Sequence, residues 1–192
     1  DAGNKITTGL YNVLIGGLTG DAITSGNSNV AVGYQALSAD TLGDRNVAMG
    51  LQALLTQNFT TSTDSYNTAV GYAAGTLITT GINNTLIGGL VGDALIDADD
   101  NIAMGRGALS SDTYGSKSTA LGRNALTTQN RTTATDTYNV AVGYDAGLEV
   151  TTGLKNTFIG GLAGDDTVDS SDNTAVGYDA LSGDSGGTCT AI

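Results

Sequence analysis

A glycine that recurs at a fixed place in a short repeated phrase constrains this chain more than any other feature of the sequence. The phrase NVAVGYQAL at residues 29–37 returns in ten related copies, and the fourth residue after the opening Asn or Ser is always Gly. Such a position needs a positive φ or a neighbouring backbone in close contact. Most copies are 17-residue units and two are 21-residue units, and the order of lengths recurs as a 72-residue block. The openings are Asn12, Asn29, Asn46, Asn67, Asn84, Asn101, Ser118, Asn139, Asn156 and Asn173, and the glycines are Gly16, Gly33, Gly50, Gly71, Gly88, Gly105, Gly122, Gly143, Gly160 and Gly177.

The repeat predicts an all-β fold. The copies are rich in Gly, Thr, Asn and Asp, and they lack the apolar residue at every third or fourth position that a helix requires. A 17-residue unit accommodates two short strands joined by turns, and identical coils stack about 4.8 Å apart. We therefore expect a parallel β-solenoid of about ten coils of 17 or 21 residues. The array is expected to span residues 1–182, with 1–11 as a partial first coil and 183–192 as a C-terminal tail.

Single columns of the repeat predict contacts. The residue before the constant Gly is always Ile, Val, Met or Leu, so we expect a buried side chain there in every coil. The opening Asn side chains are expected to hydrogen-bond to one another in a ladder. The second residue after the opening is large only where the fifth is Gly, as in Leu86 and Gly89, and this exchange predicts that the two positions share one limited space.

Composition argues against several classes of function. The 192-residue chain has no His, so the commonest proton-transfer side chain and metal ligand is missing. We find no combination of nucleophile, base and orienting partner, and we predict no enzymatic activity and no catalytic residue. The formal charge of −12 predicts no binding to nucleic acid, and no apolar run is long enough for direct membrane insertion. The single Cys189 is a free thiol, an interchain link or a small buried residue.

The recurring phrase resembles that of a known family. NTAVGYDAL at residues 173–181 is similar to the head repeat of YadA-like trimeric autotransporter adhesins and to repeats in phage tail-fibre shafts, and the similarity covers residues 12–181. The resemblance implies a left-handed parallel β-roll, three chains packed about one axis, a role in attachment, and an extracellular location at a cell or virion surface. The sequence departs from the adhesin pattern in its longer, 17-residue coils and shows no neck, stalk or membrane anchor.

Acidic residues in three repeated phrases are candidates for calcium binding. GGLTGDAIT, which starts at Gly16, resembles the calcium-binding nonapeptide of repeat-in-toxin proteins, as do its counterparts at Gly88 and Gly160. An extra Leu splits each phrase, and the phrases occur once per 72-residue block and not in tandem. Turn chemistry is therefore the favoured interpretation, and no cofactor is expected. The weak calcium candidates are Asp21, Asp93, Asp165 and Asp166.

Other polar clusters have simpler interpretations. The acidic cluster Asp97, Asp99 and Asp100 is interpreted as a solvated loop. Thr pairs such as Thr79-Thr80 recur only every fourth coil, which is sparse for an ice-binding array. Three residues lie in N-x-T sequons, and three Tyr residues that precede an opening Asn are expected to pack on the coil; they are Asn58, Asn83 and Asn130, and Tyr11, Tyr66 and Tyr138.

The two 21-residue coils predict protruding loops at residues 56–66 and 128–138. Extra residues on a solenoid usually emerge on one face and often carry binding. Phe59 and Arg131 occupy equivalent positions in the two loops, and each is either an exposed contact residue or a side chain that covers the coil. The candidate partner-binding residues are Asn58, Phe59, Asp64, Asn130, Arg131 and Asp136, and a glycan is among the candidate ligands of the unidentified receptor.

The sequence favours a structural function over an enzymatic one. The leading hypothesis is an attachment rod, a segment of a homotrimeric surface adhesin or virion tail fibre. Ordering each coil loses about as much free energy as burial and hydrogen bonds return, so burial between chains favours the trimer. The alternative is a subunit of an extracellular filament that stacks through open solenoid ends, since exposed strand edges pair readily. A calcium-binding repeat protein and an ice-binding solenoid are minor alternatives.

Overall fold

The computed structural model describes residues 1–183 and 186–192, and it is all-β with no helix in these two ranges. Two residues of the expected C-terminal tail, 184 and 185, therefore lie outside the described residues. The chain forms a parallel β-solenoid of about ten coils, most of them built from one 17-residue unit, and this confirms the predicted fold class.

One parallel sheet runs the length of the solenoid. Each coil contributes a three-residue strand that pairs in register with the equivalent strand of the next coil, so that Val13 lies beside Val30 and Leu14 beside Ala31. The eleven strands of this sheet are β1 (Val13–Ile15), β2 (Val30–Val32), β4 (Val47–Met49), β6 (Thr68–Val70), β7 (Thr85–Ile87), β8 (Ile102–Met104), β10 (Thr119–Leu121), β12 (Val140–Val142), β13 (Thr157–Ile159), β14 (Thr174–Val176) and β15 (Thr190–Ala191).

A second strand occurs in only some coils. Where a 21-residue coil stacks on its shorter neighbour, β3 (Gly43–Asp44) pairs with β5 (Thr63–Asp64), and β9 (Gly115–Ser116) pairs with β11 (Thr135–Asp136). The prediction of two strands in every coil was therefore wrong for the described residues. The rest of each coil turns through left-handed backbone conformations, which interrupt strand geometry.

The end of the chain joins the sheet. β15 pairs with β14, which places Thr190 beside Thr174 and Ala191 beside Ala175. The backbone N–H of Cys189 donates to Oδ1 of Asn173 at 2.8 Å, the contact that an opening Asn makes in other coils. Cys189 is a partly buried free thiol. Residues 189–191 thus begin an eleventh coil within the segment that we expected to be a tail.

The constant glycines form a column parallel to the long axis. Their φ angles lie between 124° and 146°, a region that side chains with a Cβ rarely adopt. A Cβ added to Gly16 would lie 2.6 Å from the carbonyl oxygen of Gly33 in the next coil. The same conflict with the following glycine recurs from Gly33 to Gly160. Both reasons for an invariant Gly, positive φ and close backbone approach, therefore apply together.

The opening Asn side chains connect successive coils. The N–H of Asn46 donates to Oδ1 of Asn29 at 2.9 Å, and Nδ2 of Asn29 donates to the carbonyl of Gly43, also at 2.9 Å. Ser118, the exception, still donates its N–H to Oδ1 of Asn101 at 2.9 Å. These amides are buried, so each ladder contact satisfies backbone groups that water does not reach.

The interior of the solenoid is a narrow core of Ala side chains with larger Leu, Ile, Val and Phe side chains between them. Leu86, in the second position after its opening, is fully buried, whereas a Cβ on Gly89 would touch nothing within 4 Å. The expected competition between these two positions was wrong, because strand alternation points Leu86 inward and leaves Gly89 outside. Leu86 instead fills the space next to Gly75 and Gly92, where an added Cβ would meet its methyl groups at 2.8 and 3.0 Å.

Candidate interaction surfaces

The outward side of the long sheet is an uncharged, mostly aliphatic surface. We define the apolar face as the first and third residues of the ten three-residue strands, of which fifteen are aliphatic or Met and five are Thr. These residues are Val13, Ile15, Val30, Val32, Val47, Met49, Thr68, Val70, Thr85, Ile87, Ile102, Met104, Thr119, Leu121, Val140, Val142, Thr157, Ile159, Thr174 and Val176.

The column that precedes the constant glycines lies on this face. We expected its side chains to be buried, but Ile15 is 60% exposed, Met49 41% and Met104 46%, and the others are at best partly buried. The prediction was wrong because the middle residue of each strand points into the core, and its neighbours therefore point outward. In the described part of a single chain, these aliphatic side chains are left in contact with water.

Two columns of residues flank the apolar face. The leading edge consists of the residues just before each opening, namely Tyr11, Ser28, Arg45, Tyr66, Asn83, Asp100, Lys117, Tyr138, Lys155 and Asp172. The trailing edge consists of the fifth residues after each opening, namely Gly17, Tyr34, Leu51, Tyr72, Gly89, Arg106, Arg123, Tyr144, Gly161 and Tyr178. Together they hold five of the seven basic residues of the chain and two acidic ones. Tyr and Arg are the residue types that are enriched in protein interfaces.

The long loops place Phe59 and Arg131 against the coil. Phe59 is only 6% exposed, so the prediction of an exposed aromatic contact was wrong. The guanidinium of Arg131 donates to the carbonyl oxygens of Thr152 and Gly153 in the next coil, the latter at 3.1 Å. Its partial burial lowers the pKa of Arg131. Phe59 is therefore buried and Arg131 covers the next coil, which agrees with the other interpretation, that these side chains cover the coil.

Four of the predicted partner-binding residues remain exposed. Asn58 and Asn130 lie at the start of the loops, and Asp64 and Asp136 lie near their ends. Oδ1 of Asn58 accepts a hydrogen bond from the hydroxyl of Thr41 at 3.0 Å, and Oδ1 of Asn130 accepts one from Thr113 at 3.3 Å. These contacts hold the loop bases, while residues 60–62 and 132–134 form the exposed loop tips.

Each loop ends in a cluster of a cation, a carboxylate and a Tyr. Lys117 forms an ion pair with Asp136 at 2.5 Å, and its Nζ lies 5.5 Å from the ring centre of Tyr138. The hydrogen bond between them raises the pKa of Lys117 and lowers that of Asp136. Arg45, Asp64 and Tyr66 repeat the arrangement at the end of the first loop. Tyr66 and Tyr138 are about half exposed and contact these cations, and Tyr11 is largely exposed, so the expected packing on the coil is at most partial.

Two buried carboxylates beneath the loops were not predicted. Oδ1 of Asp40 accepts from the N–H groups of Gly43 and Phe59, both at 3.1 Å, and Oδ2 accepts from Gln57 at 2.6 Å. Burial raises the pKa of Asp40 despite these hydrogen bonds. Asp112 contacts Gly115, Arg131 and Gln129 in the same way.

A regular signal for these carboxylates exists in the sequence. In coils whose eighth residue after the opening is Gly, the eleventh residue is apolar, except for Thr167. In coils whose eighth residue is Leu, the eleventh residue is Asp or Gln. The apolar members include Ile23, Ile78, Leu95 and Val150, and the buried Asp and Gln members are Asp40, Gln57, Asp112 and Gln129. The eleventh residue therefore changes together with the eighth, as expected if the two share one space. This link would have placed the Asp and Gln side chains in the interior.

The calcium candidates do not form a metal-binding group. Within the described residues, no set of three or more acidic, His or Cys side chains lies close enough to hold a cation, and this holds for Asp21, Asp93, Asp165 and Asp166. Burial raises the pKa of Asp93 and of Asp165, and one carboxylate oxygen of each is buried without a hydrogen-bond partner.

The other polar clusters contact the solenoid itself. Asp97 accepts from the hydroxyl of Thr80 at 2.7 Å, and Asp99 accepts from the N–H of Ile82 at 2.8 Å. Burial raises the pKa of Asp99, with the nearby charges of Asp97 and Asp100 adding to the shift.

The hydroxyls of Thr7, Thr79 and Thr151 donate to carbonyls one coil away. In the sequon at Asn83, the Asn side chain donates a hydrogen bond to Asp100 at 3.1 Å on an exposed surface.

Comparisons with known proteins add no assignment. No family model, curated protein or solved structure matches the chain. In the described part of the chain there is no helix that could span a membrane.

Proposed function

We propose that this chain is a structural attachment rod, a segment of a homotrimeric surface adhesin or virion tail fibre that acts outside the cell. The observation that carries the proposal is the uninterrupted register of the long sheet from β1 to β15. Ten coils at about 4.8 Å each make a core about 48 Å long. Each further coil would lengthen this core along the same axis without altering the others, which is the property that an attachment rod needs.

The placement of the loops supports a binding role. The tips at 60–62 and 132–134 are equivalent positions four coils apart, about 19 Å along the axis. They are exposed, while their bases are fixed by buried Asp40 and Asp112. A rigid base with an exposed tip is the usual arrangement of binding loops on a repeat scaffold.

The shape is tested by small-angle scattering in dilute solution. The proposal expects a scattering curve that fits stacked coils about 48 Å long and that does not change with the protein concentration. A length that grows with concentration would instead support the end-stacked filament. A curve that fits no stack of coils would contradict both.

The binding role is tested with loop-tip variants on a glycan array and in cell adhesion. Thr60→Gly and Thr61→Gly, combined with Thr132→Gly and Thr133→Gly, remove tip side chains and keep the loop length. We expect at least a tenfold loss of binding, because tip contacts are lost while the coil is retained. The matched control, Thr80→Gly with Thr152→Gly, alters exposed Thr residues in the coils that follow the two loops and is expected to bind normally. Unchanged adhesion of the tip variant would remove the loops as the contact site.

A further inference from the structure

We propose that the apolar face is the surface on which further copies of this chain pack side by side, parallel and in register. This inference rests on the proposed function, which includes a trimer, and it adds the surface and the partner that hold the trimer together. It is carried by the exposure of the face, by the distribution of charge, and by the match between the leading and trailing edges.

The size and composition of the face fit a protein interface. Ten strands at about 4.8 Å, and a width of about 13 Å from the first strand residue to the trailing edge, give roughly 600 Å². That area is at the upper end of the largest apolar patch on monomers and approaches the about 800 Å² that each partner buries in a stable complex. All twenty outward side chains are uncharged, as in the buried centre of interfaces.

The charge distribution selects this face for contact between like chains. The whole chain carries a formal charge of −12, so two copies repel each other in most orientations. The leading and trailing edges together hold five basic residues and two acidic ones, and Asp64 and Asp136 pair with Arg45 and Lys117, which leaves a net charge of +1 around the face. Most of the 19 acidic residues lie elsewhere on the chain, so approach through this face keeps those of the two copies apart.

The two edges match when copies are related by rotation about the rod axis. Such a rotation brings the leading edge of one copy against the trailing edge of the next, coil for coil. In register, Asp100 of one copy faces Arg106 of another, and the large Tyr34 faces the small Ser28. In register, Lys117 of one copy also faces Arg123 of the next, and both are positive. Each of these charges has a partner within its own chain, since Lys117 pairs with Asp136 and Arg123 donates to the hydroxyl of Tyr144 at 2.9 Å.

The trailing edge has openings where the leading edge has larger side chains. A Cβ on Gly89 would have nothing within 4 Å, so this position is a recess between Tyr72 and Arg106. In register, Asn83 of the neighbouring copy faces it. Tyr11 and Lys155 face Gly17 and Gly161, which are narrower, because an added Cβ would lie 3.3 and 3.5 Å from the Tyr rings of the next coil. A shift by one coil would lose these three matches.

The association is tested first by sedimentation equilibrium. We expect a particle with three times the chain mass of 19.1 kDa. Val70→Lys and Ile87→Lys place a charge on the apolar face, where both residues are partly exposed, and each should reduce the mass to that of one chain with an unchanged circular dichroism spectrum. Leu77→Lys, on an exposed position away from the face, is the matched control and should keep the trimer. A wild-type particle of one chain mass at micromolar concentration would overturn the inference.

The register is tested by disulfide cross-linking between chains that carry single cysteines at different positions. In a Cys189→Ser background, one sample carries Asn83→Cys and the other Gly89→Cys, and the two are unfolded, mixed, refolded and oxidised. In-register parallel packing predicts a cross-linked dimer on a denaturing gel. Gly17→Cys mixed with Asn83→Cys is four coils out of register and should give at least tenfold less product. Equal yields from both pairs, or none from the first, would contradict the proposed packing.

Failure of this inference differs from failure of the proposed function. A trimer that persists when Val70 or Ile87 is replaced by Lys would remove only the packing on the apolar face. A single wild-type chain would also remove the trimer from the proposed function but leave the rod, and a scattering curve that fits no stack of coils would remove the rod itself.

Discussion

At the scale of residues, two glycines in neighbouring repeat columns have different structural roles. Gly71 has a φ of 140°, and an added Cβ would collide with the backbone of Gly88 in the next coil. Gly89 has ordinary backbone angles and open space where a Cβ would be. The sequence shows Gly at both places, but only the first lies in the column that never varies.

Gly71→Ala is expected to lower the free energy of unfolding by at least about 2 kcal/mol, because it combines left-handed strain with a backbone clash. Gly89→Ala, the matched control, should change it by less than about 0.5 kcal/mol. Urea denaturation followed by circular dichroism measures both. Equal effects of the two substitutions would contradict the stacked glycine column.

Asp40 makes the stability of the wild-type chain depend on pH. Burial holds the pKa of its carboxyl above the ordinary value in the folded state, so folding favours the protonated form. Its contribution to stability is therefore full below the unfolded pKa and is lost as the pH rises through the folded pKa.

The comparison of wild type with Asp40→Asn isolates this contribution. The melting temperature of wild type relative to the variant should be higher at about pH 4 than at about pH 7, with about 2 to 4 °C for each kcal/mol. Thermal melts across this range measure the difference. A difference that stays constant with pH would mean that the buried carboxyl does not change its protonation on folding.

At the scale of the coil, two ways of filling the core alternate along the chain. In one, a large second residue such as Leu86 lies over Gly75 and Gly92. In the other, the second residue is Ala, as in Ala103, and Leu109 occupies the place of Gly92 with a φ of 52°. The four-coil period of the sequence is thus a period of core packing as well as of loop length.

A double-mutant cycle tests this exchange of packing. Leu86→Ala alone should lower the free energy of unfolding by about 3 to 5 kcal/mol, since it leaves a cavity. Adding Gly92→Leu imitates the pattern of Ala103 and Leu109, and we expect it to restore at least about 1 kcal/mol of that loss. Cδ1 of Leu95 lies 2.8 Å from the place of the new Cβ, so the Leu95 side chain must move aside to admit the new side chain. Further destabilisation by the second substitution would show that the coils are not interchangeable.

The sequence predicted the coil length, the glycine column and the parallel stacking because each follows from spacing alone. It did not predict which apolar columns face inward. The aliphatic residue before each constant glycine has the pattern of a buried residue, yet Ile15 and Met104 point outward. Periodicity identifies side chains that avoid water, but it does not say whether the same chain or a neighbouring copy covers them. Whether Phe59 is exposed or buried depends on the conformation of the loop, which the presence of four extra residues does not specify.

At the scale of the whole molecule, shape follows from repetition. In the described part of the chain, each strand of the long sheet pairs only with the strands of the adjacent coils, so the chain extends along one axis as it adds repeats. The apolar face and its leading and trailing edges then run as stripes parallel to that axis. A surface that one coil is too small to provide, whether for packing or for binding, becomes large through this alignment.

The most direct test of the stacked architecture is a distance between two spin labels on equivalent coils. In a Cys189→Ser background, Ala22→Cys and Asp166→Cys carry the labels at positions separated by two 72-residue blocks, away from the apolar face. Eight coils of about 4.8 Å predict a single narrow distribution centred at about 38 Å, measured by pulsed electron paramagnetic resonance with excess unlabelled chain. A distribution centred below about 25 Å, or one without a defined maximum, would contradict the solenoid and every proposal that depends on it.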